Sequence, residues 1–363
     1  MTRPVCAGTQ ERKLSPMKKK LSLLLAAALL VSALTGCGAK TGDVSSSGAS
    51  HGSASQSQAV DKTPVNFMAL SGPTGVGAAY LMKYYDKSTA PADCPLYVNA
   101  TVAAENKEAM DALVNGSADI AAVATNVAAS LYAKTDGAVE VLAVNTLGVL
   151  YILEKGDSVQ TMADLAGKTV YAVGQGANPE YVLNHLLTEN GVDPSQVDLQ
   201  WMTAQEVTAQ MASAQGDAVC MLPVPAATAL MMKDPEVRQA LSLSDEWDKL
   251  DQGALAQGCL VARTQFVEEH PETVDAFLDL YGDSVTFMSD ENGLSGASAL
   301  VAELGITANE QIAAKAIPQC NLTLLTGNEM KETLQAYYQV LFQADPASIG
   351  GETPYDDFYY GAE

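Results

Sequence analysis

Short apolar runs alternate with longer amphipathic segments along most of this chain. In the first half, the runs predict buried strands at 65–70, 96–101, 118–124, 139–144 and 150–154. The segments between them predict helices at 76–85, 107–115 and 127–132. Strands that alternate with helices usually pair in parallel, so the pattern predicts an α/β fold in which helices flank a mostly parallel sheet.

The second half repeats this order. A strand at 169–173 leads into a glycine-rich turn and a helix at 180–190, and a helix at 204–215 leads to Asp217 and a strand at 218–222. The segment that starts at Asp119 aligns with the one that starts at Asp217 without a gap. We therefore predict two similar α/β lobes. The elements predicted to return the chain to the first lobe are a strand at 258–263 and helices at 271–289, 297–304 and 328–343.

The N-terminal segment predicts export. Lys18, Lys19 and Lys20 precede a mostly apolar run at 21–34, which ends in Leu34-Thr35-Gly36-Cys37. This layout is typical of a secretory signal, and the run is shorter than the ~20 residues of a membrane-spanning helix. We predict that residues 1–36 are a leader that is removed and that translation starts at Met17.

A Ser/Gly-rich segment follows the leader. Residues 37–63 contain very few large apolar side chains, so the segment cannot bury enough surface to offset the entropy of ordering it. Gly/Ser chains behave as flexible coils. We predict that 37–63 is a flexible tether between Cys37 and the folded part.

Charge narrows the range of partners. The formal net charge of −23 disfavours nucleic acids and anionic membrane surfaces. Beyond the leader, the arginines are Arg238 and Arg263, which leaves few side chains able to clamp an anionic ligand through two hydrogen bonds. Arg263 is expected to pair with a surface acid.

The chemistry-bearing residues do not form a catalytic or metal-binding pattern. Gly174-x-Gly176 resembles a dinucleotide turn, but Pro179 stands where a third glycine is needed. The three histidines have no second ligand at metal spacing. We expect a protein that is not an enzyme and uses no metal or cofactor. The remaining cysteines are expected to be buried free thiols, with a Cys259–Cys320 bridge left open as the alternative; they are Cys94, Cys220, Cys259 and Cys320.

Three local motifs carry a family resemblance. A strand ends in Ser71-Gly72-Pro73-Thr74-Gly75, Gly116-Ser117-Ala118-Asp119 precedes an apolar strand, and Asp164-Leu165-Ala166-Gly167-Lys168-Thr169 leads into another strand. With the lipobox-like Leu34–Cys37, the chain resembles bacterial ABC-transporter substrate-binding lipoproteins of the type II periplasmic-binding fold. Within that fold it is most similar to the sulfonate, nitrate and thiamine-precursor branch.

The resemblance implies a lipid anchor on Cys37 and a location on the outer face of the cytoplasmic membrane. It implies a first lobe formed by 64–147 plus 258–363 and a second lobe formed by 148–257, joined by crossing strands at 147–153 and 257–263. A small molecule would bind in the cleft, hinge closure would trap it, and ABC permease and ATPase subunits would receive it from a monomeric protein. The aromatic tail of residues 355–360 is expected to dock onto the first lobe, and Trp201 and Trp247 are expected to be packing residues.

Ligands of open α/β sheets bind beyond the carboxyl ends of the strands. The residues predicted on that basis to contact the ligand are Ser71, Gly72, Pro73, Thr74, Gly75, Thr125, Asn126, Asn145, Thr146, Gly174, Gln175, Gly176, Asn178, Tyr181 and Pro223. None of these side chains carries a positive charge, so an uncharged or polar heterocyclic ligand is as plausible as a small anion. A ligand-sensing lipoprotein without transport, or an exported enzyme, remains open as an alternative function.

Overall fold

A computed structural model describes residues 61–363. The signal segment, the start at Met17, Cys37 and most of the tether lie outside the described residues. The strands are β1 (Thr63–Leu70), β2 (Leu96–Ala103), β3 (Ile120–Ala124), β4 (Val139–Thr146), β5 (Leu150–Lys155), β6 (Thr169–Ala172), β7 (Asp198–Trp201), β8 (Ala218–Pro223), β9 (Val237–Ser242), β10 (Gly258–Arg263) and β11 (Leu322–Leu325). The first strand therefore begins on Thr63, the residue with which the predicted tether ends.

The helices surround these strands. They are α1 (Pro73–Tyr84), α2 (Asn106–Asn115), α3 (Thr125–Lys134), α4 (Asn178–Glu189), α5 (Ala204–Ser213), α6 (Ala226–Lys233), α7 (Leu243–Asp248), α8 (Thr264–Glu269), α9 (Pro271–Ser289), α10 (Leu294–Glu303), α11 (Glu310–Ala316) and α12 (Gly327–Ala344). Within the described residues, no helix has the length and apolar content that crossing a bilayer requires.

The strands form a six-stranded sheet and a five-stranded sheet. Five strands of the first sheet have the same spatial order as the five strands of the second. The first sheet runs β11-β4-β10-β3-β1-β2 and the second β7-β6-β8-β5-β9. In the first, β1 pairs in parallel with β2 and β3, and β10 is antiparallel to β3 and β4. In the second, β6 pairs in parallel with β7 and β8, and β5 is antiparallel to β8 and β9. The predicted α/β repeat is confirmed. The first sheet also contains β10 and β11, which come from the second half of the chain and run antiparallel to β4, and the second sheet contains β5, which runs antiparallel to β8.

Three helices begin a few residues earlier in the structure than the sequence pattern predicted. The helices α1, α3 and α4 begin at Pro73, Thr125 and Asn178, residues that the sequence pattern placed in loops. Small polar residues and proline are favoured in the first turn of a helix because N–H groups there have no partner within the helix. The predicted loop residues at these positions are therefore first-turn residues. The pattern also missed β9, β11 and the short helices α7, α8 and α11.

A continuous apolar core joins elements of both sheets. Trp247 of α7 is fully buried, with its ring 5.4 Å from that of His185 in α4 and 5.5 Å from that of Tyr337 in α12. Its indole Nε1 donates to the carbonyl of Gly253 at 2.9 Å. This packing confirms the predicted core role of Trp247. It also holds α12, which follows β11 of the first sheet, against α4, which follows β6 of the second sheet. Trp201 is partly buried against the same core.

The C-terminal tail packs on β4, as predicted. Phe358 and Tyr359 are buried, and the backbone N–H of Tyr360 donates to the carbonyl of Val141 at 3.0 Å. Tyr355, in contrast, is 64 % exposed. Docking therefore involves the last aromatic residues and not the whole aromatic segment.

Candidate functional site

The predicted site residues of β3–α3 and of α4 meet in one buried polar network. The side chain of Asn178 donates to Thr125 Oγ1 at 2.9 Å and to the carbonyl of Gln257 at 2.7 Å. Its Oδ1 accepts from Tyr337 OH at 3.0 Å and from the backbone N–H of Asn126 at 3.4 Å. Asn178 uses its full hydrogen-bonding capacity. It thereby joins the first turn of α4 to the first turn of α3.

Thr125 and Asn126 are fixed from several sides. Thr125 Oγ1 donates to the carbonyl of Ala256 at 2.6 Å, and its own carbonyl accepts from Tyr338 OH at 2.9 Å. Asn126 Nδ2 donates to the carbonyl of Ser348 at 3.1 Å and reaches that of Gly176 at 3.5 Å. These contacts bring together residues that lie far apart in the sequence. The 125–126 segment and the 174–178 segment, each predicted to contact the ligand, are hydrogen-bonded to one another.

A second polar group lies at the end of β4. Asn145 Nδ2 donates to Tyr281 OH at 2.9 Å, and Tyr281 OH donates to the carbonyl of Thr74 at 3.4 Å. Gly258 makes this approach possible, since a Cβ there would lie 2.8 Å from Asn145 Oδ1 and 3.0 Å from the Cβ of Thr146. Asn145, Thr146 and Thr74 are thus neighbours around Gly258.

Three buried polar atoms at these strand ends lack a partner. Asn126 Oδ1, Asn145 Oδ1 and Thr146 Oγ1 make no hydrogen bond, and their residues are at most 2 % exposed. Leaving such an atom unpaired costs about 1–3 kcal/mol. Two amide oxygens and one hydroxyl therefore remain without a partner, and each can accept a hydrogen bond from an N–H or O–H group.

The electrostatics of the glycine turn disfavour an anion. Glu180 of α4 accepts a hydrogen bond from the backbone N–H of Gly176 at 2.6 Å, so an acidic side chain already occupies the positive end of this helix. Free N–H groups at such a helix end would otherwise attract an anionic ligand.

Both arginines of residues 61–363 are used in structural ion pairs. Arg238 Nη2 lies 2.6 Å from Glu154 Oε2, and Arg263 Nη2 lies 2.6 Å from Asp119 Oδ1. The expectation that Arg263 pairs with a surface acid is wrong, because the Asp119 side chain is only 8 % exposed and also accepts from Asn66. Because Arg238 and Arg263 are both paired, neither is free to hold a ligand.

The remaining predicted residues do not join these networks. Ser71 and Gln175 are exposed, and Gly72, Pro73, Tyr181 and Pro223 are partly exposed. Gly174 is held at a φ of 85°, and a Cβ there would lie 2.5 Å from Pro179. Among the hydrogen bonds of residues 61–363, none joins the 71–75 segment to the 174–176 turn. Gly75 also sits tightly, since a Cβ there would lie 2.9 Å from the carbonyl oxygen of Leu70.

Sequence reasoning missed the residues that complete the networks. Tyr281, Tyr337, Tyr338 and Gln257 contact the predicted residues across long sequence separations, and helix spacing makes the tyrosines look like ordinary core residues. Gln257 Oε1 accepts from the backbone N–H of Val149 at 2.8 Å, so its side chain joins the two chain segments that connect the sheets. The sequence signal that could have identified Gln257 is its position directly before Gly258, the glycine with which β10 begins.

The four cysteines of residues 61–363 are buried free thiols, as predicted. Burial raises the pKa of Cys220 to about 12 and that of Cys320 to about 12, and it raises the pKa of Cys259 as well. Thiols with such raised pKa values stay protonated and unreactive. The alternative Cys259–Cys320 bridge is not formed. Within residues 61–363, no group of three or more His, Cys, Asp or Glu side chains is placed to hold a metal ion.

Comparison with solved structures shows proteins of the same fold. An ABC transporter protein from Parabacteroides distasonis is 22 % identical, with a TM-score of 0.67 over 83 % of this chain and 99 % of that one. The aliphatic sulphonate binding protein SsuA from Escherichia coli is 16 % identical, with a TM-score of 0.61 over 79 % of this chain and 90 % of that one. The alkanesulfonate-binding protein SsuA from Xanthomonas axonopodis pv. citri, bound to MOPS, is 13 % identical, with a TM-score of 0.61 over 77 % and 93 % of the two chains. The predicted periplasmic-binding fold is confirmed.

Sequence comparison gives one assignment. No curated protein matches the chain. A family model described as NMT1/THI5 like matches residues 95–292, which is more than half of the chain. The chain therefore belongs to the NMT1/THI5-like family.

Proposed function

We propose that this protein is an extracytoplasmic solute-binding lipoprotein of an ABC importer. It captures a small polar molecule between two α/β halves and delivers it to permease and ATPase subunits. The observation that carries the proposal is the set of unpaired buried polar atoms that follow β3 and end β4 in the first sheet, Asn126 Oδ1, Asn145 Oδ1 and Thr146 Oγ1. The fold shared with binding proteins of ABC importers supports it.

The proposed lobes are 64–147 plus 258–363 and 148–257. In support, every strand of the first sheet lies within 63–146 or 258–325, and every strand of the second lies within 150–242. The chain crosses between the sheets after Thr146 and again before Gly258. Movement about these two crossings is the proposed closure, and Gln257 joins them.

The proposed ligand is an uncharged or polar heterocyclic molecule that donates hydrogen bonds. Three observations support this choice: the unpaired atoms are acceptors or a hydroxyl, Glu180 occupies the end of α4, and both arginines are paired. An anion would meet no free positive charge from the predicted site residues. We propose binding without turnover, and no cofactor.

The proposed anchor is a lipid on Cys37, with the protein a monomer on the outer face of the cytoplasmic membrane. Residues 37–63 would serve as the tether, which reaches the first residue of β1. Metabolic labelling with a fatty acid, comparing the full chain with Cys37→Ser, tests this part separately from ligand binding.

The main experiment is a thermal-shift screen of residues 60–363 against pyrimidines, vitamins, nitrate, sulfonates and aromatic acids. A ligand at 100 times its Kd adds about 2.7 kcal/mol to the free energy of unfolding. We expect a neutral heterocycle to give the largest shift and to be recovered unchanged.

Variants locate the site. Asn126→Ala or Asn145→Ala should weaken binding roughly two- to tenfold, as expected for one neutral hydrogen bond. Asn99→Ala, an exposed asparagine on β2, is the matched control and should bind like the wild type. A strongly anionic best ligand whose binding Asn126→Ala weakens would overturn the proposed ligand chemistry. Equal affinities in all three variants would overturn the proposed site. Consumption of the compound would show an enzyme, and normal uptake in a deletion strain would show a sensor.

A further inference from the structure

Two cavities adjoin between α6 and the segment around α11. They have volumes of about 390 Å³ and about 430 Å³, and Met232 lines both. None of the residues predicted for ligand contact lines either one. The other residues lining the first cavity are Thr228, Met231, Ala314, Lys315, Pro318 and Gln319.

The first cavity contains an unsatisfied buried hydroxyl. Thr228 is 3 % exposed, and its Oγ1 has no hydrogen-bond partner. The residue follows β8 by one helical turn, so its position is fixed by the second sheet. A buried hydroxyl without a partner is unfavourable, and a group that bonds to it would remove the penalty.

Unpaired positive charge is concentrated at the same place. Among the lysine and arginine side chains of residues 61–363, those without an ion pair, hydrogen bond or aromatic contact are Lys134, Lys233 and Lys315. Lys315 lines the first cavity and Lys233 the second. In a chain with a net charge of −23, most basic side chains are paired, so two unpaired lysines at adjoining cavities stand out.

The rest of the lining is largely apolar. Met231, Met232 and Pro318 border the first cavity, and Leu230 and Ile312 border the second. Methionine side chains are flexible and polarizable, so they adapt to ligands of different shape. Both cavities are open to the solvent, and their linings combine apolar walls with a few polar groups, as small-molecule sites do.

We propose that the cavity lined by Thr228 and Lys315 binds a small organic anion with an apolar chain or ring and a single carboxylate or sulfonate. The acidic group lies at Lys315, the apolar part contacts Met231 and Met232, and Thr228 bonds to a polar atom. Because α6 follows β8 of the second sheet and α11 precedes β11 of the first, the ligand bridges elements of both sheets. This site is separate from the one in the proposed function and does not depend on it.

The probe for this site is hexane-1-sulfonate, titrated into residues 60–363 with ¹³C-methyl-labelled methionine. We expect the methyl signals of Met231 and Met232 to shift in a saturable way. The signals of Met82 and Met330, which lie in the core, should stay in place. Hexan-1-ol, which lacks the charge, should bind more weakly. Shifts that spare Met231 and Met232 would overturn the proposal.

Variants separate charge at the cavity from charge in general. Lys315→Gln should weaken hexane-1-sulfonate binding by roughly three- to tenfold, and Thr228→Val should weaken it without changing its dependence on salt. Lys134→Gln, which removes the unpaired lysine outside both cavities, should bind like the wild type. Equal losses in the Lys315 and Lys134 variants would refute the site. Asn126→Ala should leave hexane-1-sulfonate binding unchanged, so failure here is distinct from failure of the proposed function.

Discussion

Replacing Asn178 by alanine would remove a side chain that contacts four groups in other parts of the chain. Its amide donates to Thr125 Oγ1 and the carbonyl of Gln257, and it accepts from Tyr337 OH and the N–H of Asn126. The residue is 1 % exposed, so water cannot replace these partners without rearrangement. The change therefore leaves several buried polar groups unsatisfied at the junction of α3, α4 and α12.

The magnitude follows from the geometry. Three of the contacts have distances of 2.7–3.0 Å, and the fourth is long at 3.4 Å. At about 1 kcal/mol for each good neutral hydrogen bond, Asn178→Ala should lower the free energy of unfolding by about 3 kcal/mol. With roughly 2 °C lost per kcal/mol in a domain of this size, the melting temperature should fall by about 6 °C.

Urea and thermal unfolding of residues 60–363 measure this effect. Asn190→Ala is the matched control, since this exposed asparagine ends the same helix and its side chain donates only to the carbonyl of Leu186. It should cost less than about 1 kcal/mol. A double-mutant cycle of Asn178→Ala with Tyr337→Phe should give a coupling of about 1 kcal/mol. If Asn178→Ala costs no more than Asn190→Ala, the network does not hold the two sheets together.

Three further outcomes follow from the structure. Gly258→Ala places a Cβ 2.8 Å from Asn145 Oδ1 and should lower the free energy of unfolding by about 2 kcal/mol. Gly216→Ala is the control, because a Cβ there meets open space and should not lower the free energy of unfolding. Equal effects of the two changes in chemical denaturation would refute the close packing at Gly258. Burial by itself raises the pKa of Glu154, but hydrogen bonds from Ser158 and Val159 and the charge of Arg238 outweigh it, so the folded-state pKa lies below that of a free glutamate. The stability that this ionised carboxylate contributes is present above the unfolded pKa of about 4.3 and is lost as pH falls through the folded pKa. Glu154→Gln should therefore destabilise the protein at neutral pH and flatten the acid limb of a pH–stability curve. An unchanged acid limb would contradict this. In the native protein at pH 8, Ellman's reagent should detect no thiol in residues 60–363, while denaturation should release all four; rapid native labelling would contradict the burial of Cys94, Cys220, Cys259 and Cys320.

The hydrophobic pattern of the sequence was sufficient to place the strands and helices whose apolar residues recur with a clear period. The strand at β10 and the helix α9 lie where the sequence predicted them, because a fully buried strand and a long amphipathic helix produce unambiguous patterns. The strand β9 was missed because its sequence, VRQALS, mixes polar and small residues. The start of α3 was misplaced because Thr125 and Asn126 suit both a turn and the first turn of a helix.

The sequence by itself determined the α/β class, the repeated strand order and the burial of the cysteines, and it singled out the strand-end segments as candidates for ligand contact. These depend on hydrophobic periodicity and on the rule that the ends of parallel strands share one edge. Only the tertiary structure decided which hydrogen bonds those segments make, that Asn178 is bonded on all sides, that Asn126 and Asn145 each keep an unpaired oxygen, and that Lys315 lies near Thr228. Such details depend on contacts between residues far apart in the chain, and the burial that makes an unpaired atom or a lone charge costly exists only after the chain has folded.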